Sequence, residues 1–389
     1  MSKPTRNLLI AVAALIAVLI LMLILRTNQA VCEFVCRYLV NAYQAVAGRI
    51  FSLAPYNVFE LLAALAVVGV IACIVISIVL FCKKKRRASR QVMLGLLVVV
   101  FSVLNLYVFS AGFAYNRKSA PVNPYDGEVD ADLAKQTYVA LIDDYNAIYD
   151  TLQKNDDGSV VCPYSDKELR EKIRLAIDNT LTDKYYYSYT PKAKPITCSE
   201  IMAQCHIAGI TFLPTAEPGY NKDMATIEQC STIAHEFAHS KGVMREDEAN
   251  IVGIYALLNS GDDYLKYCAY FDIIDDFTHF IPQSEREEFY EKHPYNEGNL
   301  AEWIKIIEYW KNKNFFGNIG EFFNDLYLKL NGQQEGTGSY EETPSTDIVD
   351  SGSVDEDGNP IYIEVVVEYT KMDRMIIGYY KSALQSGKK

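Results

Sequence analysis

The hydrophobic pattern divides the chain into two parts. Over residues 8–25, 58–82 and 92–113 the sequence is almost continuously apolar, and the one acid, Glu60, sits near an end of its run. Each run is long enough for a helix to cross a hydrocarbon layer about 30 Å thick. They predict a membrane anchor over residues 1–113 with three transmembrane helices, so a lipid bilayer is the first expected partner. Lys83, Lys84, Lys85, Arg86, Arg87 and Arg90 crowd the short connection between the second and third runs, and Lys3 and Arg6 precede the first. Basic residues beside a span stay on the cytoplasmic face. A multi-pass cell-membrane protein follows, with a cytoplasmic N-terminus, an external loop over residues 27–57, and residues 114–389 exported as an extracytoplasmic domain.

Beyond residue 114 the apolar spacing changes to that of amphipathic helices. Leu133, Leu141, Tyr145, Ile148 and Leu152 fall near one stripe of a helix over 131–152. Ser165 and Glu168 have the spacing of a capping box for a helix ending near Leu181, and Ser284 and Glu287 repeat that spacing. The tyrosines of 185–189 read as strand or extended chain. Residues 209–213, halted by Pro214, read as a short strand. Helices are expected over 223–241, closed by Gly242, then over 245–258, 299–312 and 320–331, with an aromatic-rich helical pair over 264–280. Residues 332–360 are acidic, polar and nearly free of apolar side chains, so a flexible insert is expected there. A β-branched run at 361–369 and a helix over 372–384 close the chain. The fold class expected is α+β, predominantly helical.

Composition narrows the chemistry. The formal net charge of −12 includes the basic cluster between the second and third spans, so the exported part is more acidic still, and no nucleic-acid partner is implied. Nine cysteines are present without a C-x-x-C pair, which argues against a separate cysteine-based zinc site. Cys32 and Cys36 are expected as free thiols, and Cys230 as a small buried hydrophobe.

The informative motif is His235-Glu236-Phe237-Ala238-His239. On a helix this H-E-x-x-H spacing puts two imidazoles one turn apart on one face, able to ligate Zn²⁺, with Glu236 beside them as a general base. A third ligand is expected in the helix that follows. Glu246 and Glu248 lie about 200° apart around that helix, so only one can face the histidines. Glu246 is chosen and Glu248 is kept as the alternative. Asn250, one turn beyond Glu246, is placed to hold the free ring nitrogen of His235. The strand before the motif helix is the expected substrate edge, with Thr211, Phe212, Leu213 and Thr215 as its candidate residues. His279, Tyr255, Tyr267 and Tyr270 are candidate oxyanion donors.

His235-Glu236-x-x-His239 followed by Glu246-x-x-Ala249-Asn250 resembles the gluzincin pattern. The wider run, with Gly242 and Asn250 in place, is similar to that of the bacterial membrane family known as domain-of-unknown-function family 3810. The similarity extends to residues 210–217 and to Asn324-Asp325-x-Tyr327-Leu328-Lys329-x-Asn331-Gly332. It implies a zincin-like domain whose Zn²⁺ is held by His235, His239 and Glu246, hydrolysing peptide bonds of a peptide or protein substrate with Glu236 as base. Asn250 stands where the better-studied gluzincins carry aspartate, which removes a charge from the support of His235. The alternative reading is a non-catalytic, zinc-stabilised membrane protein that binds a cell-wall component or protein partner. The oligomeric state is open.

Overall fold

Three helices in the first 116 residues are long and apolar enough to cross a membrane. The computed structural model describes residues 2–122, 124–340, 343–354 and 360–385. The first span is α1 (Lys3–Leu25), capped by Ser2. The connection between the first two spans, residues 27–57, folds as α2 (Gln29–Phe34), a π-helical stretch at Val35–Val40, and α3 (Asn41–Phe51). The second span is α4 (Val58–Cys82) and the third begins as α5 (Arg86–Tyr107). The third span is longer than expected, because the helix starts within the basic cluster and continues as a π-turn through Val108–Gly112. Polar side chains join the spans where no water competes. Asn105 Nδ2 donates to the Leu15 carbonyl, Gln91 Nε2 to Thr5 Oγ1, and the Ser77 and Ser89 hydroxyls lie 2.8 Å apart.

The remainder is mostly helical. α6 (Ala131–Thr151) buries Ala134, Tyr138, Leu141, Ile142 and Tyr145, a face rotated from the predicted stripe so that Leu133, Ile148 and Leu152 lie at its margin. α7 (Asp166–Thr180) starts with both halves of the Ser165–Glu168 capping box. A three-stranded sheet follows, built from β1 (Lys194–Pro195), β2 (Gly209–Phe212) and β3 (Glu217–Tyr220), with α8 (Ser199–Gln204) between β1 and β2. β3 is central, parallel to β1 and antiparallel to β2, which leaves β2 at the edge. Against this sheet lies α9 (Thr226–Ser240), followed by α10 (Glu246–Leu258) and α11 (Asp263–Ile273).

α12 (Arg286–Lys292) begins after a 3-10 turn in which Ser284 makes no cap, so the second predicted capping box does not form. α13 (Gly298–Trp310) and α14 (Gly317–Leu330) precede a 3-10 segment at Gly336–Tyr340. β4 (Ser345–Val354) and β5 (Pro360–Glu368) form an antiparallel pair, and α15 (Lys371–Gln385) packs on α6. The described part of the 332–360 stretch, expected as a flexible insert, carries the 3-10 segment and β4. The tyrosines of 185–189 form no strand, and Tyr185, Tyr186 and Tyr187 are core residues. All nine cysteines are free, with Cys32, Cys36 and Cys230 buried.

The sheet and the spans are fastened together at one end of the membrane helices. Glu217 of β3 accepts from the Val58 and Phe59 amides, the first two of α4, so a carboxylate from the domain caps a transmembrane helix. Glu60 in the first turn of α4 accepts in return from the Thr197 and Cys198 amides. Lys194 Nζ is buried and fully used, donating to Glu217 Oε1 at 2.5 Å and to the Phe51 and Tyr56 carbonyls. The domain thus sits at the end of the spans opposite the basic α4–α5 hairpin.

A buried pair that loses one partner leaves a charge without compensation. Lys194→Met is expected to destabilise the full chain in detergent micelles by about 3–5 kcal/mol, with Glu217→Gln in the same background recovering part of the loss. Thermal unfolding measures both, and an unchanged midpoint for Lys194→Met would refute the fastening role.

Candidate metal centre

The motif helix α9 closes at Ser240 and the chain turns through Gly242 before α10 begins. The two helices cross closely because α10 presents Gly253 to the backbone of Ala234 and His235, where an added Cβ would lie only 3.1 Å from each. This approach sets the first turn of α10 opposite the two histidines. Glu246 Oε2 lies 3.2 Å from His235 Nε2 and 3.3 Å from His239 Nε2.

Both rings are oriented from behind. His235 Nδ1 lies 2.6 Å from Asn250 Oδ1, whose amide nitrogen donates in turn to the Tyr340 carbonyl. His239 Nδ1 lies 2.8 Å from the Val243 carbonyl oxygen. Both partners are acceptors, so each Nδ1 carries the proton and each neutral Nε2 presents a lone pair. Three lone-pair atoms, two imidazole nitrogens and a carboxylate oxygen, therefore converge without a donor. Glu246 Oε2 is buried and has no hydrogen-bond partner among the described residues. Such a cluster requires a cation or a captured proton at its centre. Burial works against a charged His239 ring, yet the carboxylates of Glu246 and Glu236 outweigh it and raise its pKa to about 9. Burial alone would raise the Glu246 carboxyl, and the two histidines pull it down to about 2. The field inside the cluster thus favours positive charge. Two nitrogens and one carboxylate oxygen, mutually within 4.8 Å, match the donor set that zinc accepts.

Glu236 is buried beside the rings and held by the edge strand. The Thr211 hydroxyl lies 2.6 Å from Glu236 Oε2 and 2.9 Å from its carbonyl oxygen. Gly209 leaves the room, since a Cβ there would stand 2.4 Å from Glu236 Oε1. Burial, the largest influence, raises the Glu236 carboxyl above its ordinary range despite the nearby histidines and Thr211. It is thus shifted toward the pH range where it can take up and give back a proton.

The other candidate residues divide. Glu248 faces away, bound by Arg245 Nη2 and the Ala120 amide, so it offers no ligand atom to the cluster. Phe212 ends β2 and stacks on Phe59 of α4 at 4.1 Å between ring centroids. Leu213 and Thr215 are corrected as edge residues, because the strand stops at Phe212 and both are buried in the turn that follows. Gln44 donates to the Leu213 carbonyl and Tyr43 to that of Pro214. The available edge is therefore Gly209–Phe212.

Among the described residues, no hydrogen bond, ion pair or ring contact joins the four candidate oxyanion donors to the cluster. His279 pairs with Asp373, Tyr267 stacks on Tyr145 in the core, Tyr270 receives the Tyr380 hydroxyl, and Tyr255 packs at the core margin. The aromatic residue beside His235 is Tyr340, with ring centroids 6.4 Å apart and planes at 23°. Gln333 Oε1 accepts from the Glu246 amide, fixing the start of α10. Both belong to the stretch whose polar composition predicted a flexible insert. The one available signal is Tyr340 itself, an aromatic residue amid glycine, serine and threonine.

Comparison with curated proteins and with solved structures gave no match. A family profile matches residues 36–345, which include both helices of the cluster, β2, α14 and Tyr340. The chain belongs to that family, described as Protein of unknown function (DUF3810).

Proposed function

We propose that the protein is a membrane-anchored zinc metallopeptidase with a zincin-like domain, hydrolysing peptide bonds on the extracytoplasmic side. The observation that carries this reading is the pairing of an acceptor-only cluster with a buried, positioned carboxylate that is not part of it. A purely structural metal site needs ligands but no adjacent base. His235, His239 and Glu246 would hold the metal, and Asn250 and the Val243 carbonyl keep the ring tautomers correct. Zinc, when bound, supplies Lewis acidity that polarises a carbonyl and acidifies a water.

Glu236 accepts the proton of the attacking water and returns it to the departing amine. Thr211 fixes the carboxylate for both transfers, and the edge of β2 from Gly209 to Phe212 offers backbone groups to an extended substrate. The extracytoplasmic placement rests on the basic α4–α5 hairpin, which lies at the far end of the spans from the domain.

Three outcomes test the reading. Elemental analysis of the purified full chain is expected to find about one zinc per molecule. His235→Ala, His239→Ala or Glu246→Ala should remove most of it and Glu248→Ala should leave it in place. A preparation that neither contains zinc nor takes it up would end the metal reading. Second, Asn250→Ala is expected to weaken zinc binding about 10–100-fold by freeing the His235 ring, which competition with a chromophoric chelator measures. Affinity equal to wild type would show that the amide does not support the ligand.

Third, Glu236→Gln should keep fold and zinc and lose chelator-sensitive hydrolysis of a peptide library by about 10²–10⁴-fold. Full activity in that variant would place the base elsewhere. A zinc-loaded wild type that hydrolyses nothing in the library would favour the non-catalytic zinc-stabilised protein.

A further inference from the structure

Helix α14 carries an apolar face that is left uncovered among the described residues. Phe322, Phe323, Leu326 and Leu330 are 62, 62, 42 and 67% exposed. At a rotation of about 100° per residue they fall within a single arc of about 100°. Phe315, 81% exposed, lies just before the helix. The other side of α14 is engaged: Leu328 is buried, and Asp325 and Lys329 pair with each other at the flank.

Both ends of this helix are tied to the ends of membrane spans. At its C-terminus, Arg26, the residue closing α1, donates through Nη2 to the Leu330 carbonyl. Asn331 Nδ2 donates to the Tyr107 hydroxyl in the last turns of the third span, and Tyr115 at the end of that span donates to Tyr327. At its N-terminus, the Phe316 and Phe315 amides donate to the Gln204 carbonyl and side chain, and Gly320 packs against Cys205. Those residues end α8, whose start is hydrogen-bonded to Glu60 in the first turn of α4. A helix of 14 residues, about 21 Å long, thus runs from the mouth of one span to the mouths of the other two. Its C-terminal end lies against the ends of the first and third spans, and its N-terminal end is joined to the start of α4 through the length of α8.

We propose that α14 is an interfacial helix whose Phe322, Phe323, Leu326 and Leu330 face is seated in the lipid bilayer that holds the three spans. At Leu330 the exposed face meets Arg26, which directly follows the exposed apolar Ile24 and Leu25 of α1, and this junction with the apolar anchor selects lipid over a protein partner. Tyr107, Tyr115 and Tyr327 meet where the span and the helix join, at the level where tyrosines mark a membrane interface. Arg26 places a cation at the C-terminus of α14, satisfying one of its last carbonyls. The inference does not depend on a bound metal or on hydrolysis.

The test uses the full chain in phosphatidylcholine nanodiscs doped with a lipid bearing a photoactivatable diazirine in its acyl chain, with adducts mapped by mass spectrometry. Parallel hydroxyl-radical footprinting reports water access. Expected are acyl-chain adducts on Phe322, Phe323, Leu326 or Leu330 together with adducts on the spans, and protection of the same residues from radicals. The double variant Phe322→Ser, Phe323→Ser should lose most α14 adducts and retain those on the spans. Adducts confined to the three spans overturn the proposal in either case. Oxidation of α14 would then show a face open to water, and protection from both reagents would show a face covered by protein.

Discussion

The pairing of Lys194 with Glu217 is the constraint on which the arrangement of this molecule rests. Both side chains are almost wholly buried, and each has more than one task. Glu217 caps α4 as well as neutralising Lys194, and Lys194 satisfies the carbonyls at the end of α3 and in the following turn as well as Glu217. Two desolvated charges are tolerated where every donor and acceptor around them is matched. The consequence is positional. Glu217 opens β3, the central strand, and its partner across the antiparallel register is Phe212 of β2. The strand that holds Glu236 through Thr211 is therefore indexed to the first turn of a transmembrane helix.

The cluster itself follows from a second constraint, that lone pairs cannot face one another in a buried space without positive charge between them. Asn250 and the Val243 carbonyl take the Nδ1 protons, so Nε2 of each ring, while the ring is neutral, has nothing to donate toward Glu246. The charge missing from Asn250 relative to an aspartate is partly offset by position, because its amide nitrogen is anchored to the Tyr340 backbone and cannot rotate freely. An orienting group that is itself held in place restricts the ring more than a mobile one would.

Much of this was legible in the sequence, for a physical reason. The spans, α6, α7, α9 and α10 are continuous helices, and helical periodicity alone puts His235 beside His239 and separates Glu246 from Glu248. Contacts that depend on chain return were not legible. Thr211 bonds to Glu236 across 25 positions, and Asn250 reaches Tyr340 across 90. The contacts of Gln333 and Tyr340 at the start of the 332–360 stretch are single polar and aromatic ones that leave no periodic trace in the sequence. The short helices of residues 27–57 were not legible, because a π-turn between them breaks the usual spacing. The candidate oxyanion donors failed because aromatic residues near a motif in sequence were captured by the core, as Tyr267 and Tyr270 show.

The membrane helices and the cluster meet again on the opposite side, through α14. The chain leaves α14 at Leu330 and reaches Tyr340 through a segment with three fixed points. Gln333 binds the Glu246 amide, the Thr337 amide donates to Asp325 of α14, and the Tyr340 carbonyl accepts from Asn250. One of these points lies at the first residue of α10, one on α14, and one on the residue that orients His235. The wall of the cluster formed by Tyr340 is thus an extension of the helix that touches Arg26 and Tyr107 at the span ends, just as the wall formed by β2 is indexed to α4. Both walls take their position from the anchor. The anchor is therefore part of the scaffold of the site as well as its tether, and the geometry around His235, Glu236 and Glu246 belongs to the whole chain.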